Sequence, residues 1–284
     1  VVTSAGEVRA VLRGKTKRGE SRVVVGDHVR LDASEGGETL GITMVEPRRN
    51  VLERRTPQGR GTRTIAANLD QVLVLTATRH PEPIPQLLDR LLVIAEANEL
   101  PASVLINKID LAPADTLRLR FERAGYPVYT TSLTSGEGLE EVRRLLHERV
   151  TVVYGPSGVG KSSLANALEP GLGLRVAELS RKVERGRQTT VSAEMIPMAN
   201  GGYLVDTPGF SDVGLWGIVP RELGRCFPEM VPFLEQCRFP DCTHRHEPGC
   251  AVRRAVDDGA VAADRYESYV RLREELESAP EEWE

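Results

Sequence analysis

Gly155-Pro156-Ser157-Gly158-Val159-Gly160-Lys161-Ser162 decides the fold class of this 284-residue chain. These eight residues fit the pattern Gly-x4-Gly-Lys-Ser in full, follow the apolar run Thr151–Tyr154 and open a helical pattern over Lys161–Leu168. A strand, a glycine-rich loop and a helix in that succession form a phosphate cradle. The glycines let backbone amides converge on phosphate oxygens, and the helix N-terminus adds partial positive charge. Lys161 is placed to reach the β- and γ-phosphates, and the Ser162 hydroxyl to take one position on Mg2+. Gly155 through Ser163 are therefore expected to hold a nucleoside triphosphate.

Upstream, Gln71–Ala77, Ala102–Ile106 and Val128–Thr131 read as strands, and Leu87–Glu99, Asp115–Ala124 and Leu139–Glu148 as helices. The alternation predicts an α/β unit with a mostly parallel sheet and helices on both faces. Asn107-Lys108-Ile109-Asp110 closes the second strand. A carboxylate at Asp110 can accept from N1–H and the 2-amino group of guanine, which adenine cannot supply. A site built on that pairing rejects adenine, because the carboxylate is then left without its donors. Asn107 can support the O6/N7 side and the loop, and the Lys108 stem can lie over the base. Thr131-Ser132-Leu133, after the next strand, can add a backbone contact to the base. The expected nucleotide is GTP or GDP. Asp110 and missing substrate-side motifs oppose a P-loop ATPase or kinase.

Downstream, Asp206-Thr207-Pro208-Gly209 follows the apolar strand Tyr203–Val205. Asp206 can hold Mg2+ through water, and the Gly209 N–H can sense the γ-phosphate. Gly186-Arg187-Gln188-Thr189-Thr190 lies between the two phosphate motifs, and one threonine is the natural second Mg2+ ligand, with Thr190 favoured over Thr189. Ser162, Thr190 and Asp206 are thus the expected magnesium set. Phe210 stands where many GTPases place a water-orienting Gln, so slow intrinsic hydrolysis with stimulation by a partner is expected.

A hydrophobic share of 40% with 27% charged residues suits a globular chain. No apolar run approaches the roughly 18 residues of a membrane span, and Val1–Ala10 lacks a secretory pattern. A cytoplasmic protein without a membrane partner, and a monomer, is the expectation. Through Ala67 there are 13 Lys+Arg against 8 Asp+Glu, a balance of +5, while the remainder carries 24 against 33. A basic front on an acidic body suggests a polyanionic partner for the front; a solvated surface is the alternative. Val8–Arg13, Val23–Leu31, Thr39–Glu46 and Asn50–Arg55 are short β-rich runs, which suit an OB-like barrel or a small β-domain without ligand. Thr56–Gly61 is expected to be a linker. The domains read as an N-terminal unit over 1–58, a nucleotide domain over 66–214 and a mainly helical unit over 215–284.

Cys237-x4-Cys242-x-His244-x5-Cys250 presents three thiols and an imidazole within fourteen residues. Three Cys and one His suit a closed tetrahedral Zn2+ site, one per chain. His246 could compete with His244, and Cys226 falls outside the pattern as a buried free thiol.

In most GTPases the phosphate loop comes first and the guanine-reading motif late. Here Asn107–Asp110 precede Gly155–Ser162, Thr190 and Asp206–Gly209, the order of a circular permutation. On these motifs, from Asn107 to Cys250, the chain resembles the ribosome-small-subunit-dependent GTPase A family. The resemblance implies an N-terminal OB-fold that binds RNA, a circularly permuted G domain and a C-terminal zinc-binding domain. It also implies GTP hydrolysis stimulated by the small (30S) ribosomal subunit, 16S rRNA contacts, and a role late in subunit maturation. It selects His244 as the fourth zinc ligand. The family pattern has His where this chain has Gln188, which bears on the water-positioning group. A GTP-binding assembly module with little hydrolysis is the alternative.

Overall fold

The computed structural model describes residues 1–12, 23–32, 40–55, 62–170, 194–199, 201–206, 215 and 218–278. Seven short strands come first: β1 (Val2–Thr3), β2 (Gly6–Glu7), β3 (Ala10–Leu12), β4 (Val29–Asp32), β5 (Leu40–Val45), β6 (Val51–Arg55) and β7 (Thr62–Ala67). Among the described residues they form a three-stranded sheet in the order β3-β5-β4 and two antiparallel pairs, β1-β2 and β6-β7. The basic turn at Lys15, Lys17 and Arg18 lies outside the described residues. So does the expected linker Thr56–Gly61, and the strands on either side of it pair with each other. Asn50 and Asn68 join this region to the next. The Asn50 side chain accepts from Leu69 N at 2.8 Å and donates to Leu69 O at 2.8 Å, and Asn68 Nδ2 donates to Gly26 O at 2.9 Å.

The central sheet then runs β10-β9-β8-β11-β13-β12, from β8 (Gln71–Ala77), β9 (Ala102–Asn107), β10 (Val128–Thr131), β11 (Val150–Tyr154), β12 (Glu194–Pro197) and β13 (Tyr203–Asp206). All neighbours are parallel except the edge pair β12–β13. Every residue of β8 is buried because both faces of the sheet are covered. Val72 and Val74 join the core under α1 (Pro85–Ala97) and α2 (Asp115–Arg123), while Leu73, Leu75 and Ala77 join the core under α3 (Leu139–Leu145) and α4 (Lys161–Leu168). That split follows from the two-residue alternation of a strand.

Beyond the sheet lie a 3-10 helix (Pro220–Cys226), α5 (Ala251–Asp257) and α6 (Ala263–Ser278). Phe227, Met230, Val252 and Tyr269 share one hydrophobic core with Leu88 and Leu92 of α1 and with Phe121 of α2. A charge cluster is buried in this contact. Arg265 of α6 bonds Asp89 of α1 at 2.7 Å and Glu229 at 2.6 Å, and its guanidinium lies 4.7 Å from the Phe227 ring centre. Arg120 of α2 holds the other Asp89 oxygen at 2.6 Å and also pairs with Asp264. Removing one partner from such a cluster leaves the others buried and unpaired, at about 3–5 kcal/mol. Among the described residues, no helix is long and apolar enough to cross a membrane.

Candidate nucleotide and metal sites

The phosphate loop leaves β11 at Tyr154 and enters α4 at Lys161. Two of its glycines are required by close approach. A Cβ on Gly155 stands 2.2 Å from Leu75 O, and one on Gly160, at φ 110°, stands 2.5 Å from Asn107 Nδ2. Lys161 Nζ lies over the loop, donating to Gly155 O at 2.7 Å and to Pro156 O at 2.8 Å. Ser157, Gly158 and Ser163 are exposed, and Val159 is buried beneath them.

Asn107, only 2% exposed, joins three segments. Its Nδ2 donates to Val159 O of the phosphate loop at 2.9 Å, and its Oδ1 accepts from Leu133 N at 3.3 Å. The β9 end, the phosphate loop and the loop after β10 are therefore one assembly, although they lie far apart in the chain. Both ends of the Asn107 side chain serve the loops rather than facing outward. Lys108, at φ 64°, donates through Nζ to Gly158 O at 2.8 Å and to His80 O. Its carbonyl accepts from Thr78 Oγ1 at 2.6 Å. Ile109 N bonds Thr131 O at 3.3 Å and Leu111 N bonds Lys108 O at 2.9 Å, which fixes the turn on which Asp110 stands exposed. Thr131 and Ser132 are fully buried. Thr131 Oγ1 donates to Glu137 O at 2.7 Å, and the Ser132 amide bonds the same carbonyl at 3.0 Å. The amides of Ser132 and Leu133 are thus engaged within the protein, and this segment braces Asn107.

Asp206 ends β13, which runs beside β11 with Val205 level with Val152, so its backbone reaches the same end of the sheet as the phosphate loop. Gln188, Thr189, Thr190, Gly209 and Phe210 lie outside the described residues. Thr78 and His80 escaped the sequence reading. Their signal was weak, a polar pair just past a wholly buried strand.

The second site is the Cys/His cluster. The ligand atoms of Cys237, Cys242, His244 and Cys250 lie within 4.8 Å of one another. Tetrahedral Zn–S bonds of about 2.3 Å and Zn–N bonds of about 2.0–2.1 Å imply S···S edges of about 3.8 Å and S···N edges of about 3.5 Å. Cys237 Sγ stands 3.9 Å from Cys250 Sγ, and His244 Nδ1 stands 3.4 and 3.5 Å from those two sulfurs. The donor set therefore fits zinc. Burial lowers the His244 pKa and so keeps the imidazole neutral, the form that ligates. The backbone N–H groups of Ala251 and Arg253 point at Cys237 and Cys250 sulfurs at 3.4 and 3.5 Å, which favours thiolates. His246 is exposed and outside the cluster. Cys226 is buried, and burial with the nearby Glu96 and Glu222 carboxylates pushes its thiol up to about 11, so it stays protonated and inert.

Glu247, overlooked in the sequence, orders the loop that carries His244. Its carboxylate accepts from Thr243 N at 2.7 Å, Arg245 N at 3.1 Å, His246 N at 3.2 Å and the Thr243 hydroxyl. Burial opposes its ionisation, and these donors outweigh burial and hold the pKa far below the usual carboxylate range. Glu247→Gln turns one acceptor into a donor facing N–H groups. It is expected to weaken zinc retention about 10- to 100-fold, as loss of supporting contacts does at metal sites. Competition with a chromogenic chelator measures this, and unchanged retention removes Glu247 from the metal loop's support.

A family model described as RsgA GTPase matches residues 45–216. A protein of Gemmatimonas aurantiaca named small ribosomal subunit biogenesis GTPase RsgA is 50% identical, with 97% of this chain and 93% of that protein covered. One of the same name from Thermotoga maritima is 42% identical, covering 93% and 88%. The crystal structure of YjeQ from Thermotoga maritima is similar with a TM-score of 0.80 at 37% identity, over 98% of this chain and 93% of that one. The structure of YloQ, described as a circularly permuted GTPase, is similar with a TM-score of 0.75 at 30% identity, over 97% and 88%.

Proposed function

The chain belongs to the RsgA GTPase family, and from that premise we propose how its residues serve GTP hydrolysis in small-subunit biogenesis. It is a circularly permuted GTPase, converting GTP and water to GDP and phosphate. The observation that carries the residue assignment is Asn107, which ties the guanine-reading turn to the phosphate loop. Gly155–Ser163 cradle the phosphates with Lys161 as their cation, and Asp110 reads the base edge while the Lys108 stem covers its face. Thr131, Ser132 and Leu133 hold this arrangement from behind. Ser162, Thr190 and Asp206 would hold Mg2+, which would supply positive charge to offset that on the phosphates. Gly209 senses the γ-phosphate, Thr189 contacts the nucleotide beside Thr190, and Gln188 stands in the catalytic set where the family pattern has His. Hydrolysis is slow alone and faster on the partner, because Phe210 offers no group to orient water.

The partner is the small ribosomal subunit with its 16S rRNA, met by a cytoplasmic monomer. Residues 1–58 act as an OB-like RNA-binding unit, 66–214 as the G domain and 215–284 as a zinc-clipped, mainly helical arm. Phosphate release with and without purified small subunits tests this reading. A clear rise in kcat with subunits is expected, and no rise overturns it. The basic front supplies a second measure. Changing Lys15, Lys17 and Arg18 to Glu is expected to weaken co-sedimentation with subunits and to flatten its salt dependence by about 2 to 3 in log–log slope. GTP affinity stays unchanged, and a variant that co-sediments normally at every salt concentration removes the front from the contact.

A further inference from the structure

Helix α6 grips the metal loop and the nucleotide domain with neighbouring residues. Tyr266 donates through its hydroxyl to His244 O at 2.6 Å, and Tyr269 to Thr243 O at 2.9 Å. Tyr269 meets the Phe227 ring edge-on at 5.6 Å and lies near-parallel to Tyr266 at 6.3 Å. One turn away, Arg265 bonds Asp89 of α1, a partner 176 residues distant and 0% exposed. Arg265 cannot swing alone, because Glu229 holds its other nitrogens and Arg120 shares Asp89. Arg120 Nε is buried without a hydrogen-bond partner, but the charged bonds that the cluster does make stiffen the contact between α1 and α6.

Helix α1 in turn leads back to the nucleotide site. Leu87 N and Leu88 N bond the carbonyl of Ile84, the N-cap of α1, at 3.0 and 3.2 Å, closing the first turn of the helix directly after the loop that holds His80. In that loop His80 O accepts from Lys108 Nζ, the same ammonium that holds Gly158 O of the phosphate loop. The metal loop, α6, the Arg265–Asp89 pair and α1 are therefore joined by direct bonds, and residues 81–83 of the chain carry α1 on to His80 and the Lys108 contact.

We propose that Asp89 and Arg265 are positioning residues for subunit-stimulated hydrolysis: engagement of the metal module is passed through this pair and α1 to the loop that holds Lys108 and Gly158. The inference rests on the partner reading given above. Neither residue touches nucleotide; both act through α1. Packed helices shift as rigid bodies, and a small shift suffices at a site whose contacts are set by hydrogen bonds.

The test uses the full-length chain and its Asp89→Asn variant, which keeps the shape and loses the charge. Zinc content, GTP affinity and co-sedimentation with small subunits are expected to stay within about twofold of wild type. The subunit-stimulated kcat is expected to fall at least about fivefold, the lower range of measured couplings between sites. Hydrogen exchange at the Leu87 and Leu88 amides is expected to quicken without any subunit present. A role confined to stability would lower all activities together and leave the stimulation ratio intact. Full stimulation of folded Asp89→Asn overturns the proposal. If the wild-type chain itself is not stimulated, the proposed function falls, and unchanged exchange at Leu87 and Leu88 then overturns the joint as well. Should Asp89→Asn not fold, the Arg90→Gln, Glu275→Gln double variant takes its place. That pair links α1 and α6 at the partly exposed rim of the same contact, where loss is tolerated. About a twofold drop in stimulation is expected there, and an unchanged ratio overturns the proposal.

Discussion

Replacing Lys161 with Ala is expected to lower GTP turnover by at least about 100-fold, since removing one preorganised donor to developing transition-state charge costs about 10²–10³ in kcat. The ammonium already stands over the loop, bonded to Gly155 O and Pro156 O, so little reorganisation separates it from a phosphate. A methyl group in its place leaves two carbonyls facing the phosphates without the intervening positive charge. The loop backbone itself should survive, because its shape is set by Gly155 against Leu75 and by Gly160 against Asn107. Stopped-flow phosphate release separates turnover from binding. Wild-type turnover in the variant would falsify the role given to Lys161. Lys161→Arg is expected to fail as well, because a planar fork cannot replace a compact charge at this distance from the backbone.

Legibility in the sequence followed burial. β8, β9 and β11 appear within a residue of their expected limits, because strands covered on both faces read as nearly continuous apolar runs. The phosphate helix, Lys161–Leu168, matches its expected span. Edges were harder. β12 is a four-residue antiparallel edge strand with no apolar run, and β7 sits directly after the stretch expected to be a linker. Helix α1 begins at Pro85 rather than Leu87, because proline suits the first turn of a helix, where no amide partner is needed. The run Val23–Leu31 narrows to β4 and a single bridge from Val25 to Ala66.

In the sites, residues that carry chemistry through their own type were visible: the glycines, Lys161, Asn107 and the Cys/His set. Residues that act by holding others were hidden. Glu247 looks like any loop carboxylate, and only the fold points four donors at it. Arg265 sits in a helix rich in charged residues, where a solvated face is the ordinary reading, and its partner lies 176 positions away. Asn107 was expected to support both the base and the loop, and the contacts it makes within the protein are to two loops.

The same division of labour sets up the Asp110→Asn exchange, which is expected to invert nucleotide preference while sparing the fold. Asp110 stands exposed on a turn fixed by backbone bonds from Ile109 N and Leu111 N, and its side chain takes no part in the Asn107 brace. Two carboxylate oxygens match two guanine donors, N1–H and the 2-amino group. The amide offers one acceptor and one donor, so the 2-amino group of guanine meets an N–H and loses its partner. Xanthine carries an oxygen at that position and keeps N1–H, so it satisfies the amide fully. Sites built on such pairing discriminate by about 10⁴–10⁵ when the base lacks the matching group. Because Asp110 is exposed, water fills part of the deficit, and a loss of about 100-fold in GTP affinity is expected, with a comparable gain for xanthosine triphosphate. Competition of each triphosphate against labelled GDP reads both changes. An unaltered ratio removes Asp110 from the base site, whereas equal loss of both nucleotides would mean that the turn itself had moved. Asn107→Ala is the contrast: it breaks the brace, so both nucleotides should weaken together without a change in preference.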